Sequence, residues 1–280
     1  MDIKIDSSKK NFLLMSNEQI DIETEQYKDN DKYDYLKIRK KIEPWLTAVF
    51  QSEHLSLLVG TGLTIALTGN SGIKDRLEFR DESKDMIKQK AEKEAEYFKR
   101  GEANFEDDLR VAIELLKGYE ILNTNKKNSL KKEIGEKLQE ILGGIVSAEK
   151  KLINEIKSSS TENNGKNKIN LLRNFLLSFA SRTASRDRLN IFTTNYDRII
   201  EYGLDESGIL TLDRFIGKIK PIMRFHRIDL DYHYNPPGIR GEPRYVEGVV
   251  RYTKLHGSID WQFEGNQIIK LPILFGQEEP

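Results

Sequence analysis

Asn190-Ile-Phe-Thr-Thr-Asn-Tyr-Asp-Arg198 is the stretch on which the reading of this chain turns. Ile191, Phe192 and Thr193 are β-prone, and Ile199, Ile200 and Tyr202 behind them have helical spacing. A strand therefore feeds a helix through a polar turn, with Thr194 or Asn195 as the helix cap. Open α/β sheets bind ligands at such turns, outside the carboxyl ends of their strands. The free N–H groups of a helix start favour phosphate or another anion. The turn thus puts an amide, Asn195, and a carboxylate, Asp197, where a nucleotide would sit. The structural alternative is that Asn195 caps the helix and Asp197 complements its dipole.

Two more segments carry chemistry. Leu55-Ser-Leu-Leu-Val59 reads as a buried first strand, and Gly60-Thr-Gly-Leu-Thr64 follows it as a glycine turn. Glycines allow a pyrophosphate close to the backbone, although Ile65 replaces the third glycine of the Gly-x-Gly-x-x-Gly fingerprint. An ordinary tight turn is the alternative. Lys254-Leu-His-Gly-Ser-Ile-Asp-Trp261 follows an apparent strand holding Val249, Val250 and Tyr252. A histidine at a strand end can transfer protons or bind a sugar hydroxyl, and the chain has only four histidines. A hydrogen-bonded turn histidine is the alternative there.

Between these segments the pattern is helical. Tyr35 to Phe50 has helical spacing, with Pro44 expected to kink or divide it. Asp81 to about Lys157 is strongly helical: Asn104 before Glu106, Asp107 and Asp108 marks a helix start, and Gly143-Gly144 is a candidate break. Residues 158–168 read as a loop and Leu171 to Phe179 as a helix. Strand-prone stretches follow at Met223 to Tyr234, Tyr245 to Leu255 and Gln267 to Phe275. The order implies an α/β, Rossmann-like parallel sheet with a helical insertion at about 78–188, within a domain spanning 33–280. Residues 1–32, polar and acidic, read as an N-terminal tail.

Composition narrows the classes. Lys+Arg and Asp+Glu are both 45, so the zero net charge gives no general reason to bind nucleic acid or an anionic membrane. The chain has no cysteine, which excludes disulfides and thiolate metal sites within it and accords with a reducing cytosol. No apolar run approaches the roughly 20 residues of a membrane span, and no signal-peptide core is present, so a cytoplasmic location is expected. Asp229, Asp231 and His233 would share one face of a strand and could hold a divalent ion, but a solvated face is the reading adopted, with no metal expected. Arg182, Arg186 and Arg188 read as a solvated basic cluster.

Taken together, the three segments resemble the sirtuins. Gly60-Thr-Gly-Leu-Thr64 looks like their Gly-Ala-Gly-x-Ser turn, Thr193-Thr-Asn-Tyr-Asp197 their Thr-Gln-Asn-x-Asp segment, and Lys254-Leu-His-Gly257 their His-Gly element. The forms are more similar to the bacterial sirtuin-like NADases of antiphage defence than to the deacylases. Asn104-Phe-Glu-Asp-Asp-Leu109 also resembles a helical segment of that branch. The resemblance implies NAD+ as substrate, with Gly60, Thr61 and Gly62 along the pyrophosphate and Thr64 in place of the family's serine. It implies that Asn195, beside Thr194, holds the ribose and attacking water, that Asp197 contacts the carboxamide or orders its pocket, and that His256 is the base. It also implies an abortive-infection effector that waits for a trigger, as a homo-oligomer or with a partner such as a HerA-type ATPase or a short Argonaute.

The chain departs from the family in two ways. Without cysteine the deacylases' zinc ribbon is missing, which disfavours a protein deacylase. The family's late glycine-and-serine turn near the adenine ribose is not found before Pro280, so either the chain is a fragment or its sheet is shortened. The expected activity is NAD+ hydrolysis to nicotinamide and ADP-ribose, or a cyclised product. The alternative is a catalytically silent NAD or ADP-ribose-binding regulatory or scaffold subunit.

Overall fold

The computed structural model describes residues 12–15, 18–22, 28–29, 32–158, 164–183, 186–225, 230–234 and 244–277. The chain divides into two compact units, Met1–Leu55 with Ser185–Arg188, and Ser56–Ala184 with Leu189–Pro280.

In the first unit β1 (Phe12–Met15) pairs antiparallel with β2 (Glu18–Asp21), and β3 (Lys28–Asp29) with β4 (Lys32–Tyr33). Helix α1 (Tyr35–Phe50) starts at Asp34, whose carboxylate accepts from the N–H groups of Leu36 at 3.1 Å and Lys37 at 3.2 Å. Leu13, Ile22, Ile38 and Ile42 pack on the buried Ile20. Part of the stretch expected as a tail is therefore ribbon, because these few apolar side chains close on α1. Pro44 stays within a single helix. It and Lys40, whose carbonyl it frees, are both exposed, so water can take the lost bond.

The second unit is mixed α/β. Strand β5 (Ser56–Val59) leads into α2 (Thr61–Thr68), and α3 (Asp81–Tyr97), α4 (Phe105–Ile121), α5 (Lys126–Lys157) and α6 (Asn164–Ala180) follow. Then come β6 (Leu189–Thr193), α7 (Ile199–Glu206), β7 (Leu210–Leu212), β8 (Phe215–Ile216), β9 (Ile222–Met223), β10 (His233–Tyr234), β11 (Arg244–Tyr245) and β12 (Val249–Lys254). The hairpin β13 (Trp261–Glu264) and β14 (Gln267–Lys270) ends the series.

Strands β5-β6-β12-β7 form a four-stranded, all-parallel sheet, an arrangement compatible with a Rossmann-like fold. Leu189, Ile191, Val249, Val250 and Tyr252 of its central strands are buried, as a sheet covered on its faces requires. Register places Val59 and Lys254 on either side of Thr193, so the carboxyl ends of three adjacent strands are level. Strands β13-β14-β9-β8 form a second, antiparallel sheet. Gly265 and Asn266, with φ of 53° and 66°, make the two-residue turn of its hairpin.

The helical block has its own core, in which Ala91 and Ala95 of α3, Val111 and Ala112 of α4 and Leu130 and Ile134 of α5 are buried together. Gly143-Gly144, a candidate break, lies inside the uninterrupted α5. A Cβ on Gly144 would run into the Gly72 carbonyl, so the glycine serves a close backbone approach rather than a helix end.

Helix α5 is tied to the rest of the unit by the buried Glu149. It accepts from the Arg198 side chain at 2.7 Å and 3.2 Å and from the backbone N–H groups of Arg198 and Gly276, each at 2.8 Å. Arg198 also donates to the Ile273 carbonyl at 2.6 Å and the Leu274 carbonyl at 3.1 Å. Removing one partner leaves the other charge buried and unpaired. Glu149→Ala is expected to lower unfolding free energy by about 3–5 kcal/mol, read from urea denaturation. A loss under about 1 kcal/mol would show that the pair is dispensable.

Candidate functional site

The three segments singled out in the sequence come together at the carboxyl edge of the parallel sheet. Gly60 precedes α2 with extended backbone (φ −116°, ψ −168°), and no side chain caps that helix. A Cβ on Gly62 would meet nothing within 4 Å, so bare backbone faces open space there. At Gly60 a Cβ would lie 3.8 Å from Thr194 Oγ1, an ordinary contact. Neither glycine has a positive φ.

The turn after β6 is knitted to this helix start. Thr193 Oγ1 donates to the Val59 carbonyl at 2.9 Å and accepts the Asn195 N–H at 3.1 Å. The Thr194 N–H donates to the Val59 carbonyl at 3.3 Å. Asn195 Nδ2 donates to the Gly60 carbonyl at 3.1 Å and to Thr64 Oγ1 at 3.0 Å, and Thr64 Oγ1 donates to Asp197 Oδ2 at 2.6 Å. Thr64, Asn195 and Asp197 are all buried. Asn195 Oδ1 has no partner among the described residues.

Neither expected residue caps α7: its N-cap is Arg198, which makes no side-chain cap bond, and Asn195 is turned toward Gly60 and Thr64. Asp197 Oδ1, one residue before the cap, accepts the Ile199 N–H at 3.1 Å. The third segment closes on the same turn. The buried Lys254 ammonium donates to the Asp197 carbonyl and to Glu201 Oε1 at 2.9 Å. The Leu255 N–H reaches the Thr193 carbonyl at 2.8 Å, and the Ile259 N–H the Tyr196 carbonyl at 3.2 Å.

His256 lies on the wall of two cavities. One, of about 450 Å³, is lined also by Phe215, Tyr252, Lys254, Gly257 and Trp261. The other, of about 730 Å³, has an apolar lining that includes Leu109, Ile113, Leu138 and Leu142 of α4 and α5, beside Glu106 and Tyr196. Gly60, Thr61, Gly62, Thr64, Thr194, Asn195 and Asp197 line neither. Glu106 Oε1 lies 3.2 Å from His256 Nδ1 and accepts the Tyr196 hydroxyl at 2.8 Å. Burial, and then the Glu106 carboxylate, push the Tyr196 hydroxyl well above the ordinary tyrosine range.

Glu106 was not among the sequence candidates. In sequence it is one of three acids at a helix start, and the other two do structural work. Asp107 completes a capping box with Asn104. Asp108 accepts the Arg76 guanidinium at 2.8 Å and 2.7 Å and the Leu77 N–H at 2.9 Å. Burial opposes the charge on Asp107, yet Arg100, the Asn104 N–H and Arg110 together hold its carboxyl below the usual range.

The other clusters stay outside the site. Asp231 pairs with Arg251 at 3.3 Å, the His233 ring lies 4.4 Å from that of Tyr245, and Asp229 falls outside the described residues. Among the described residues no three His, Cys, Asp or Glu side chains gather as metal ligands. Arg186 donates to the Ser52 carbonyl at 3.5 Å, and Arg182 and Arg188 are also engaged. No helix among the described residues is long and apolar enough to cross a membrane.

Thr64→Val removes the hydroxyl between Asn195 and Asp197 and leaves buried polar atoms unpaired, so urea denaturation should show a loss of about 1–3 kcal/mol. Asp107 gives a pH signature. Its lowered folded-state pKa stabilises the fold above the unfolded value of about 3.9, and that contribution disappears as pH falls through the folded value. The stability gap between wild type and Asp107→Asn should therefore narrow as pH is lowered from about 4, and a constant gap would refute the assignment. Compared with known proteins, the chain matches no family model and no curated protein.

Proposed function

We propose that the chain is an NAD+ glycohydrolase of the sirtuin-like kind, with the helices between β5 and β6 as its insertion. The observation that carries this reading is the meeting of the Gly60 turn, Asn195 and the His256 turn at the carboxyl ends of three adjacent parallel strands. That edge is where open α/β sheets take nucleotides. The uncapped start of α2 and the open space at Gly62 support a pyrophosphate along Gly60, Thr61 and Gly62.

In the proposed reaction the bond between ribose C1′ and the nicotinamide nitrogen breaks, and its electron pair neutralises the pyridinium. Water oxygen bonds to C1′, and His256 takes the water proton, so NAD+ and water give nicotinamide, ADP-ribose and a proton. Asn195 has an acceptor to spare in Oδ1 for a ribose hydroxyl or the water. Thr64 and Asp197, hydrogen-bonded to each other, order the pocket around Asn195. In this reading the enzyme is a cytoplasmic defence effector released by a trigger, as an oligomer or with a HerA-type ATPase or short Argonaute.

One observation favours the second reading, a silent NAD or ADP-ribose-binding subunit: the buried Asn195 lines neither cavity beside His256. Nicotinamide release from NAD+ separates the two. Turnover is expected from wild type with the plausible partners present, with Asn195→Ala and His256→Ala each still folded but at least about 100-fold slower. Calorimetric binding of NAD+ with no nicotinamide release, even with every plausible partner present, would select the silent subunit, and full activity in either variant would refute the mechanism.

A further inference from the structure

Glu106 reaches the site from the helical block rather than from any of the three motif turns. Its carboxylate lies against His256 Nδ1 at 3.2 Å and holds the Tyr196 hydroxyl at 2.8 Å on the same oxygen. We infer that Glu106 is a positioning residue that accepts the Nδ1–H of His256, fixes that tautomer, and leaves Nε2 as the basic nitrogen of a side chain that lines both cavities. The hydrogen-bond assignment stands by itself; its bearing on catalysis rests on the NAD+-cleavage reading.

A neutral imidazole donates through one nitrogen and accepts through the other, and an ionised carboxylate only accepts. The nitrogen facing Glu106 must therefore carry the proton, whereas a free histidine side chain keeps it mostly on Nε2. The bond made by one ring nitrogen decides what the other can do. Tyr196 keeps the carboxylate in place, and its raised pKa leaves the hydroxyl a donor throughout the neutral range.

The helix beneath Glu106 is anchored on both sides of it. Asn104 and Asp107 share the capping box, Arg100 bonds Asp107 at 2.6 Å, and Arg76 grips Asp108 with two bonds. Placement this firm is what an orienting group needs, since a misaligned base loses much of its effect. The charged groups around His256 are few in kind. Arg110, Glu114 and Lys117 of α4 share the larger cavity with Glu106. Glu201, Asp213, Arg214, Lys254 and Lys270 share the smaller one.

Nitrogen-15 NMR of the histidine rings tests this directly, because only four histidines need assignment and His256→Ala identifies the relevant one. In its neutral form, wild-type His256 should show a protonated Nδ1 and an unprotonated Nε2. Glu106→Ala should move the proton to Nε2, because the acceptor that holds it on Nδ1 is lost. Tyr196→Phe should keep the wild-type tautomer. A wild-type Nε2–H tautomer, or an Ala variant with unchanged tautomer, overturns the inference.

If circular dichroism shows Glu106→Ala unfolded, the similarly sized Glu106→Met, which has no strong acceptor, replaces it, and an unchanged tautomer there overturns the inference equally. In nicotinamide release, Glu106→Ala should lower kcat at least tenfold with little change in KM, and Glu106→Asp should restore part of it. Unchanged kcat overturns the role in catalysis. Wild-type protein that releases no nicotinamide even with the plausible partners present refutes the NAD+ reading alone, and the tautomer still decides the assignment of Glu106.

Discussion

The Thr64 hydroxyl orders the sheet edge. It has one proton, and Asp197, an acceptor only, claims it at 2.6 Å. Its remaining lone pairs then call for a donor, as does the Gly60 carbonyl beside it. Asn195 meets both through Nδ2, at 3.0 Å and 3.1 Å. The amide's orientation follows from those two acceptors, and so does its unpartnered Oδ1. One hydroxyl thus joins the start of α2 to the turn after β6, and Lys254 joins that turn to the end of β12. Buried networks of this kind hold a unique geometry because each lost bond leaves a desolvated group behind.

Behind the edge, Glu149 and Arg198 do the corresponding work for the helical block. The pair ties α5 to the start of α7 and to the carbonyls near residue 274. Tyr202 stacks on Phe275 at 4.5 Å beside it. The helices between β5 and β6 are therefore joined to the sheet unit by a buried charge pair as well as by apolar contact. That attachment brings α4, and Glu106 with it, to His256.

Much of this was legible in the residues. Strand β6 and helix α7 followed from local spacing, and so did the glycine turn and the long helices, because each rests on short-range periodicity. Other features were hidden for identifiable reasons. The Gly265-Asn266 turn could have predicted the β13-β14 hairpin, but an apolar run after Gln267 suggested a single longer strand. Gly144 looked like a helix break because its partner, the Gly72 carbonyl, is remote in sequence. The spacing allowed Thr194 or Asn195 as the helix cap, yet the N-cap is Arg198, because Thr64 and Gly60 engage the Asn195 amide while Asp197 bonds the Ile199 N–H.

By itself the sequence determined the alternation of strand and helix, the three polar turns that end strands, and the absence of any thiolate chemistry. These depend on residue type and on spacing over a few positions. The tertiary structure alone decided which side chains meet: Thr64 with Asn195 and Asp197, Glu149 with Arg198, and Glu106 with His256. Between 49 and 150 residues separate those partners. No local pattern records such a pairing, because a hydrogen bond depends on distance in space, which the packing of α4 and α5 around the sheet determines.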